Sequence, residues 1–183
     1  MTSPSNSRLK WLPNALTLAR CGLAGLVAWW ILSAPASSWL PLISFVLVAA
    51  TDFLDGWAAR RFDAVSAFGA FLDPVADKLL VGLALLALAH QQNWAFSVMI
   101  PTIAIIARDA IATGLRLMPK IHLPVSQLAK WKTALEMVGI GALLLAAPLG
   151  LDLIWMTGLA LIWAAAALSI YTLGLYVGEL LAD

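Results

Sequence analysis

Charge is what this sequence has least of. Only 11% of its 183 residues are Asp, Glu, Lys or Arg, while 62% are hydrophobic and the mean hydropathy is +0.92. An ordinary soluble domain carries about a quarter charged residues. A water-facing surface cannot be built from so few, which excludes a soluble globular domain and makes lipid the solvent. The single cysteine, Cys21, excludes an intrachain disulfide and gives no sign of an oxidising compartment. There is no low-complexity tract, no separate soluble domain and no internal repeat of the kind that marks many transporters. The net charge of +1 identifies no partner by itself, and no nucleic-acid partner is expected.

What the sequence has in quantity is apolar segments of bilayer length, roughly 17–25 residues each. Six are read: Ala15 to Leu32, Leu40 to Ala59, Gly69 to Ala89, Trp94 to Leu117, Thr133 to Leu149 and Leu153 to Val177. Turn formers separate them: Pro35 and Pro41, Gln91 to Asn93, Pro119 and Pro124, Pro148 and Gly150. The expectation is an all-α integral membrane protein, residues 1–183 forming one domain behind a short cytoplasmic segment, 1–12. Arg8, Lys10, Arg60, Arg61, Lys120, Lys130 and Lys132 fall in the N-terminal tail or the second and fourth loops, and the other loops hold no Lys or Arg. The positive-inside rule then puts both termini in the cytoplasm of a multi-pass inner-membrane protein. Trp29, Trp30, Trp39, Trp94 and Trp155 gather at the outer interface, with Trp11, Trp57 and Trp131 at the inner one. Arg8 and Lys10 before a run ending at Ala34-Pro35-Ala36 outline a secretory leader. Arg20 interrupts that run, which is also longer than a typical h-region, so cleavage is not expected.

The informative stretch is TDFLDGWAARRFDAVSAFGAFLDPVADK, Thr51 to Lys78. Asp52 and Asp55, three apart, share a face of the second helix; Asp73 and Asp77, four apart, share a face of the third. Asp52 lies roughly 18 Å along its helix at 1.5 Å per residue, inside the inner leaflet. Each carboxylate there costs up to about 2.5–3.5 kcal/mol, and the four also repel one another. Either several are protonated or cations neutralise them. Arg60, Arg61 and Lys78 offset part of the charge, but hard divalent cations with oxygen ligands, Mg2+ or Mn2+, suit such a set. Facing carboxylate pairs fit two ions about 3.5–4 Å apart, which can clamp both oxygens of a phosphorus displacement. Gly56 and Gly69 stand beside these pairs; ordinary helix packing explains each as readily as room for a nucleotide. Interhelical ion pairing is the bland reading of the aspartates, and it gives four intramembrane carboxylates no task.

At these residues the chain resembles the CDP-alcohol phosphatidyltransferase family, whose signature is D-x-x-D-G-x-x-A-R, eight residues, then G-x-x-x-D-x-x-x-D. Asp52, Asp55, Gly56, Ala59, Arg60, Gly69, Asp73 and Asp77 match with the spacing intact. Further likeness, to the members that use sn-glycerol 3-phosphate, runs from Leu12 to about Val138. It is carried by Pro13-Asn14-Ala15-Leu16-Thr17 with Arg20, Leu72-Asp73-Pro74-Val75-Ala76-Asp77-Lys78, Ala107-Arg108-Asp109 with Leu115-Arg116, and Lys130-Trp131-Lys132-Thr133. Asp109 stands where that pattern has Glu, and Glu136 where it has Gln.

The resemblance implies a six-helix homodimer with its site open to the cytoplasm. It implies Asp52, Asp55 and Asp73 as metal ligands, and Asp77 as the base and a further ligand. It also implies Asn14, Thr17, Asp52, Gly56, Arg60, Ser66 and Gly69 as contacts to the CDP-lipid. The expected reaction joins sn-glycerol 3-phosphate to the phosphatidyl group of CDP-diacylglycerol and releases CMP. An acceptor that carries phosphate needs a basic pocket, for which Arg108, Arg116, Lys130 and Lys132 are available. Positive-inside topology with snorkelling side chains would also explain these residues, and is preferred for Lys120. Arg61 and Asp63 read as a solvated loop, and His90 and His122 as surface residues without metal-ligand spacing. Glu136 is placed to pair with Lys132 at i,i+4. Rival expectations are a sister enzyme using phosphatidylglycerol or an inositol phosphate, and, in another class, a small cation transporter.

Overall fold

The computed structural model describes residues 12–62, 67–116 and 127–182, with side chains described for 19–51, 78–115, 127–128, 130–175 and 178. The described residues form six helices and no strand: α1 (Leu12–Ser33), α2 (Leu40–Phe62), α3 (Ala67–Gln91), α4 (Phe96–Arg116), α5 (Gln127–Leu149) and α6 (Asp152–Ala182). Each of the six apolar segments of the sequence overlaps one of them. The helix ends follow local chemistry. Ser38 Oγ accepts from the Leu40 amide at 3.2 Å and caps α2. Gly150, at φ +63°, ends α5, and the amides of Gly150 and Leu151 both return to the Ala146 carbonyl.

Helix α4 begins two residues later than the apolar pattern suggests. Asn93 and Trp94 take φ values of +50° and +58°, so the chain is in a left-handed turn there, with the Trp94 amide on the Ala89 carbonyl at 2.8 Å. Inside α4, Pro101 has no amide hydrogen to give the carbonyl of Ser97 four residues back. That carbonyl instead accepts from the Trp163 indole of α6 at 2.8 Å.

The most extensive packing is of α5 on α6 and of α1 on α3, with α4 against α6 next. The α5–α6 approach depends on two glycines. A Cβ on Gly158 would lie 2.9 Å from the Leu143 backbone nitrogen and 3.0 Å from the Gly139 carbonyl oxygen, so only hydrogen fits. Leu80, Leu85, Ile105, Ile140, Leu143 and Ile162 fill the interior. Large apolar side chains also cover the outside, among them Leu47, Val138, Leu153 and Ile170. Among the described residues, three stretches are long and apolar enough to cross a membrane: Phe96–Leu115, Lys130–Leu149 and Asp152–Leu175. The described parts of α1, α2 and α3 add shorter apolar runs, Ala19–Ser33, Leu40–Thr51 and Lys78–Gln91.

Candidate active site

Among the described residues few polar side chains are buried, and most of those meet at one place. Arg108 and Asp109 on α4 and Lys132 and Glu136 on α5 are all buried, at 5%, 9%, 3% and 2% exposure. Ions taken so far from water cost several kcal/mol each unless paired, and here each has a partner of opposite charge. Arg108 Nη1 donates to Asp109 Oδ1 at 3.0 Å, and its Nη2 donates to Thr172 Oγ1 of α6 at 3.1 Å. The Lys132 ammonium donates to the same Asp109 Oδ1, and it lies 3.2 Å from Glu136 Oε1. This last contact is the i,i+4 pair expected from the sequence.

Asp109 is the hub of the cluster through its backbone as well. Lys78 Nζ of α3 donates to the Asp109 carbonyl at 3.2 Å and to Thr113 Oγ1 at 2.6 Å, and Thr113 Oγ1 donates to the same carbonyl at 2.7 Å. Ser169, one turn before Thr172, is fully buried, and its Oγ has no hydrogen-bond partner among the described residues. Among the described residues the cluster joins the cations Lys78, Arg108 and Lys132 to the carboxylates of Asp109 and Glu136, and a guanidinium fork is a group that suits phosphate oxygens. Lys78, Asp109 and Thr113 also form the polar end of an otherwise apolar groove of about 520 Å³ between α3 and α4, walled by Val81, Gly82 and Ile105.

The structure brings together two of the expected acceptor residues, Arg108 and Lys132, on one carboxylate oxygen. It turns Lys130, two positions from Lys132, to an exposed face of α5. Arg116 is the last residue of α4 and its side chain lies outside the described residues. The same holds for the expected metal and CDP-lipid residues. Asn14 and Thr17 are on α1, Asp52, Asp55, Gly56 and Arg60 on α2, and Gly69, Asp73 and Asp77 on α3, with side chains outside the description; Ser66 falls in the stretch 63–66, also outside it. Among the described residues no group of His, Cys, Asp and Glu could hold a metal.

A family model described as CDP-alcohol phosphatidyltransferase matches residues 10–171, a span holding the aspartate signature and both ends of the ion cluster. The chain belongs to the CDP-alcohol phosphatidyltransferase family. It is similar to a CDP-diacylglycerol–glycerol-3-phosphate 3-phosphatidyltransferase of Rickettsia bellii, 38% identical over 167 residues, or 88% of this chain and 90% of that one. It is also similar to an Arabidopsis thaliana protein named CDP-diacylglycerol–glycerol-3-phosphate 3-phosphatidyltransferase 2, 32% identical over 196 residues covering 96% and 82% of the two chains. A CMP-forming cardiolipin synthase of Oryza sativa subsp. japonica is 32% identical over 197 residues, 97% of this chain and 59% of its own. As a member of this family of phosphatidyltransferases, the chain is a transferase and a membrane protein.

Reading the sequence did not identify Asp109 as the hub, the reach of Lys78 to α4, or the part played by Ser169 and Thr172. The last two carried a signal. They form a polar i,i+3 pair in a helix that is otherwise nearly all apolar, which marks a face turned toward polar partners.

Proposed function

We propose that this chain is a phosphatidylglycerophosphate synthase. It transfers the phosphatidyl group of CDP-diacylglycerol to sn-glycerol 3-phosphate and releases CMP. The observation that carries the reading is the buried cation pair, Arg108 and Lys132, set on two helices of a CDP-alcohol phosphatidyltransferase. An acceptor with its own phosphomonoester needs such a pair, whereas a lipid acceptor needs an apolar entry more than a second cation. Similarity to two enzymes named for glycerol 3-phosphate supports it.

In this reading Arg108 and Lys132 hold the acceptor's phosphate, joined by Arg116 at the end of α4. The acceptor's primary hydroxyl is thereby aimed at the phosphorus of the phosphatidyl group. Asp77 takes the hydroxyl proton as the oxygen–phosphorus bond forms and the bond to the CMP oxygen breaks. Asn14, Thr17, Gly56, Arg60, Ser66 and Gly69 contact the CDP-lipid, with Asp52 at its pyrophosphate. The donor set of Asp52, Asp55, Asp73 and Asp77 is all carboxylate oxygen, which fits Mg2+ or Mn2+. Two such ions, when bound, supply charge neutralisation of the pyrophosphate and the departing CMP. The protein would span the inner membrane six times as a homodimer, both termini and the site facing the cytoplasm, in keeping with where the basic residues lie.

A lipid acceptor, phosphatidylglycerol, is the second reading. It is favoured by the similarity to a cardiolipin synthase over 97% of the chain and by the apolar groove beside Lys78. The deciding experiment uses purified protein in detergent with CDP-diacylglycerol and labelled sn-glycerol 3-phosphate, with and without EDTA, beside Asp77→Asn. The expected result is metal-dependent CMP release with a labelled lipid product, lost in the variant. CMP release only with phosphatidylglycerol or an inositol phosphate would keep the family and overturn the acceptor.

A further inference from the structure

We infer that Asp109 is a positioning residue, whose carboxylate gathers Arg108 and Lys132 into one binding pair for the acceptor's phosphate before the acceptor arrives. The inference rests on the proposed acceptor site. Two like charges a few ångströms apart in a low-dielectric interior repel each other. Arg108 and Lys132 also have partners that draw them toward different helices. Arg108 Nη2 is on Thr172 of α6 at 3.1 Å, and the Lys132 ammonium lies 3.2 Å from Glu136 on α5. What brings the two cations together is Asp109 Oδ1, which receives Arg108 Nη1 at 3.0 Å and the Lys132 ammonium as well. Two donors on one oxygen stand within a few ångströms of each other, close enough to reach two oxygens of a single phosphate.

The Arg108 contact is not one that helical geometry supplies. Neighbours in sequence do not face each other on a helix, so the arginine bends its long side chain to meet Asp109. Asp109 itself is held from behind. Its carbonyl accepts from Lys78 of α3 and from Thr113 one turn on, and its short side chain is 12% exposed. Those two bonds run to the backbone, so a change of side chain at this position leaves their acceptor in place. Charge and placement act in opposite senses. The carboxylate's charge repels an incoming phosphate, whereas its hold on both donors favours one. Placement wins, because the carboxylate's charge is offset by two cations in direct contact. Separated cations would have to be brought together against their own repulsion at every binding event.

The test compares Asp109→Asn, Asp109→Leu and Asp109→Glu with the wild type in the CMP-release assay, reading kcat and the KM of each substrate separately. The KM for sn-glycerol 3-phosphate should rise about tenfold in Asp109→Asn, the scale of one hydrogen bond to a charged group. It should rise at least as far in Asp109→Leu. The inhibition constant of inorganic phosphate should rise in parallel, while the KM for CDP-diacylglycerol stays nearly unchanged. Asp109→Glu, which returns a carboxylate to the cluster, should recover most of the loss. In a Lys132→Met background the neutral substitutions should raise the acceptor KM by less than about threefold, because no pair is left to hold. A carboxylate with only a structural part would lower the thermal midpoint and leave the acceptor KM and phosphate inhibition where they were. That result overturns the inference and leaves the proposed reaction standing. A lower acceptor KM in Asp109→Asn overturns it too, for charge would then outweigh placement. So do neutral variants that cannot fold, since the carboxylate would then serve the bundle and not the acceptor. A wild type that neither binds nor uses sn-glycerol 3-phosphate overturns the proposed acceptor, and this inference falls with it.

Discussion

Separating Asp109 from Lys132 tests whether the buried ion cluster holds the helices together or merely sits between them. The proposed pair of substitutions is Asp109→Asn and Lys132→Met, made singly and together. The side chains are 12% and 4% exposed, far from the surface regime in which an ion pair is worth about 0–1 kcal/mol. Removing one member of a buried pair typically costs about 3–5 kcal/mol, because the other charge stays buried. Two contacts soften that here. Lys132 keeps Glu136 at 3.2 Å, and Arg108 keeps Thr172 at 3.1 Å. We therefore expect about 2–4 kcal/mol for each single variant. The double variant should cost less than the two together by about 1.5–3 kcal/mol, the coupling of residues in one network. Unfolding in mixed micelles, followed by helicity as the denaturing detergent fraction rises, measures all three. Single costs below about 1 kcal/mol that add within about 0.5 kcal/mol would refute the reasoning, for the cluster would then contribute nothing net.

Other outcomes follow from geometry. Arg108→Lys keeps the charge but loses the fork that spans Asp109 and Thr172. It should raise the KM for sn-glycerol 3-phosphate at least tenfold while moving that for CDP-diacylglycerol little, as paired initial-rate curves would show. Gly158→Ala should destabilise by about 1–3 kcal/mol, since its methyl meets backbone rather than a movable side chain. Gly174→Ala, with nothing within 4 Å of the added carbon, should leave the thermal midpoint unchanged or raise it.

The helices were legible in the sequence because a bilayer demands length and apolarity, and both can be read residue by residue. The left-handed turn at Asn93 and Trp94 was not, because a tryptophan with positive φ is set by the Trp94–Ala89 hydrogen bond and not by any local preference. Lys132 and Glu136 could be paired from their spacing along one helix. Lys78 and Asp109 could not, since they stand 31 positions apart and only the packing of α3 on α4 joins them. Arg108 was visible as a cation within an apolar segment, whereas Lys132 read as a loop residue just before the fifth one. Nothing in the sequence says that one carboxylate oxygen serves both. Lys130 shows the limit of a motif read as a block: two residues from Lys132 is about 200° round the helix, nearly its opposite side, and Lys130 is exposed.

The proline in α4 has a consequence for movement. Pro101 leaves Ser97 with a carbonyl that its own helix cannot use, and Trp163 carries an indole hydrogen that lipid cannot satisfy. Each is a liability alone, and together they cancel, which makes the pairing hard to exchange for another. The result is a pin between α4 and α6 at one end of α4. Arg108 lies eleven residues beyond Ser97, about 16 Å at the helical rise. With that end pinned, sliding and rolling of α4 against α6 are both opposed. The freedom left to α4 is a pivot about the pin, restrained at the other end by Arg108 on Thr172 and Lys78 on Asp109. Any rearrangement that accompanies acceptor entry should therefore be a swing of that end, with Trp163 as its fulcrum.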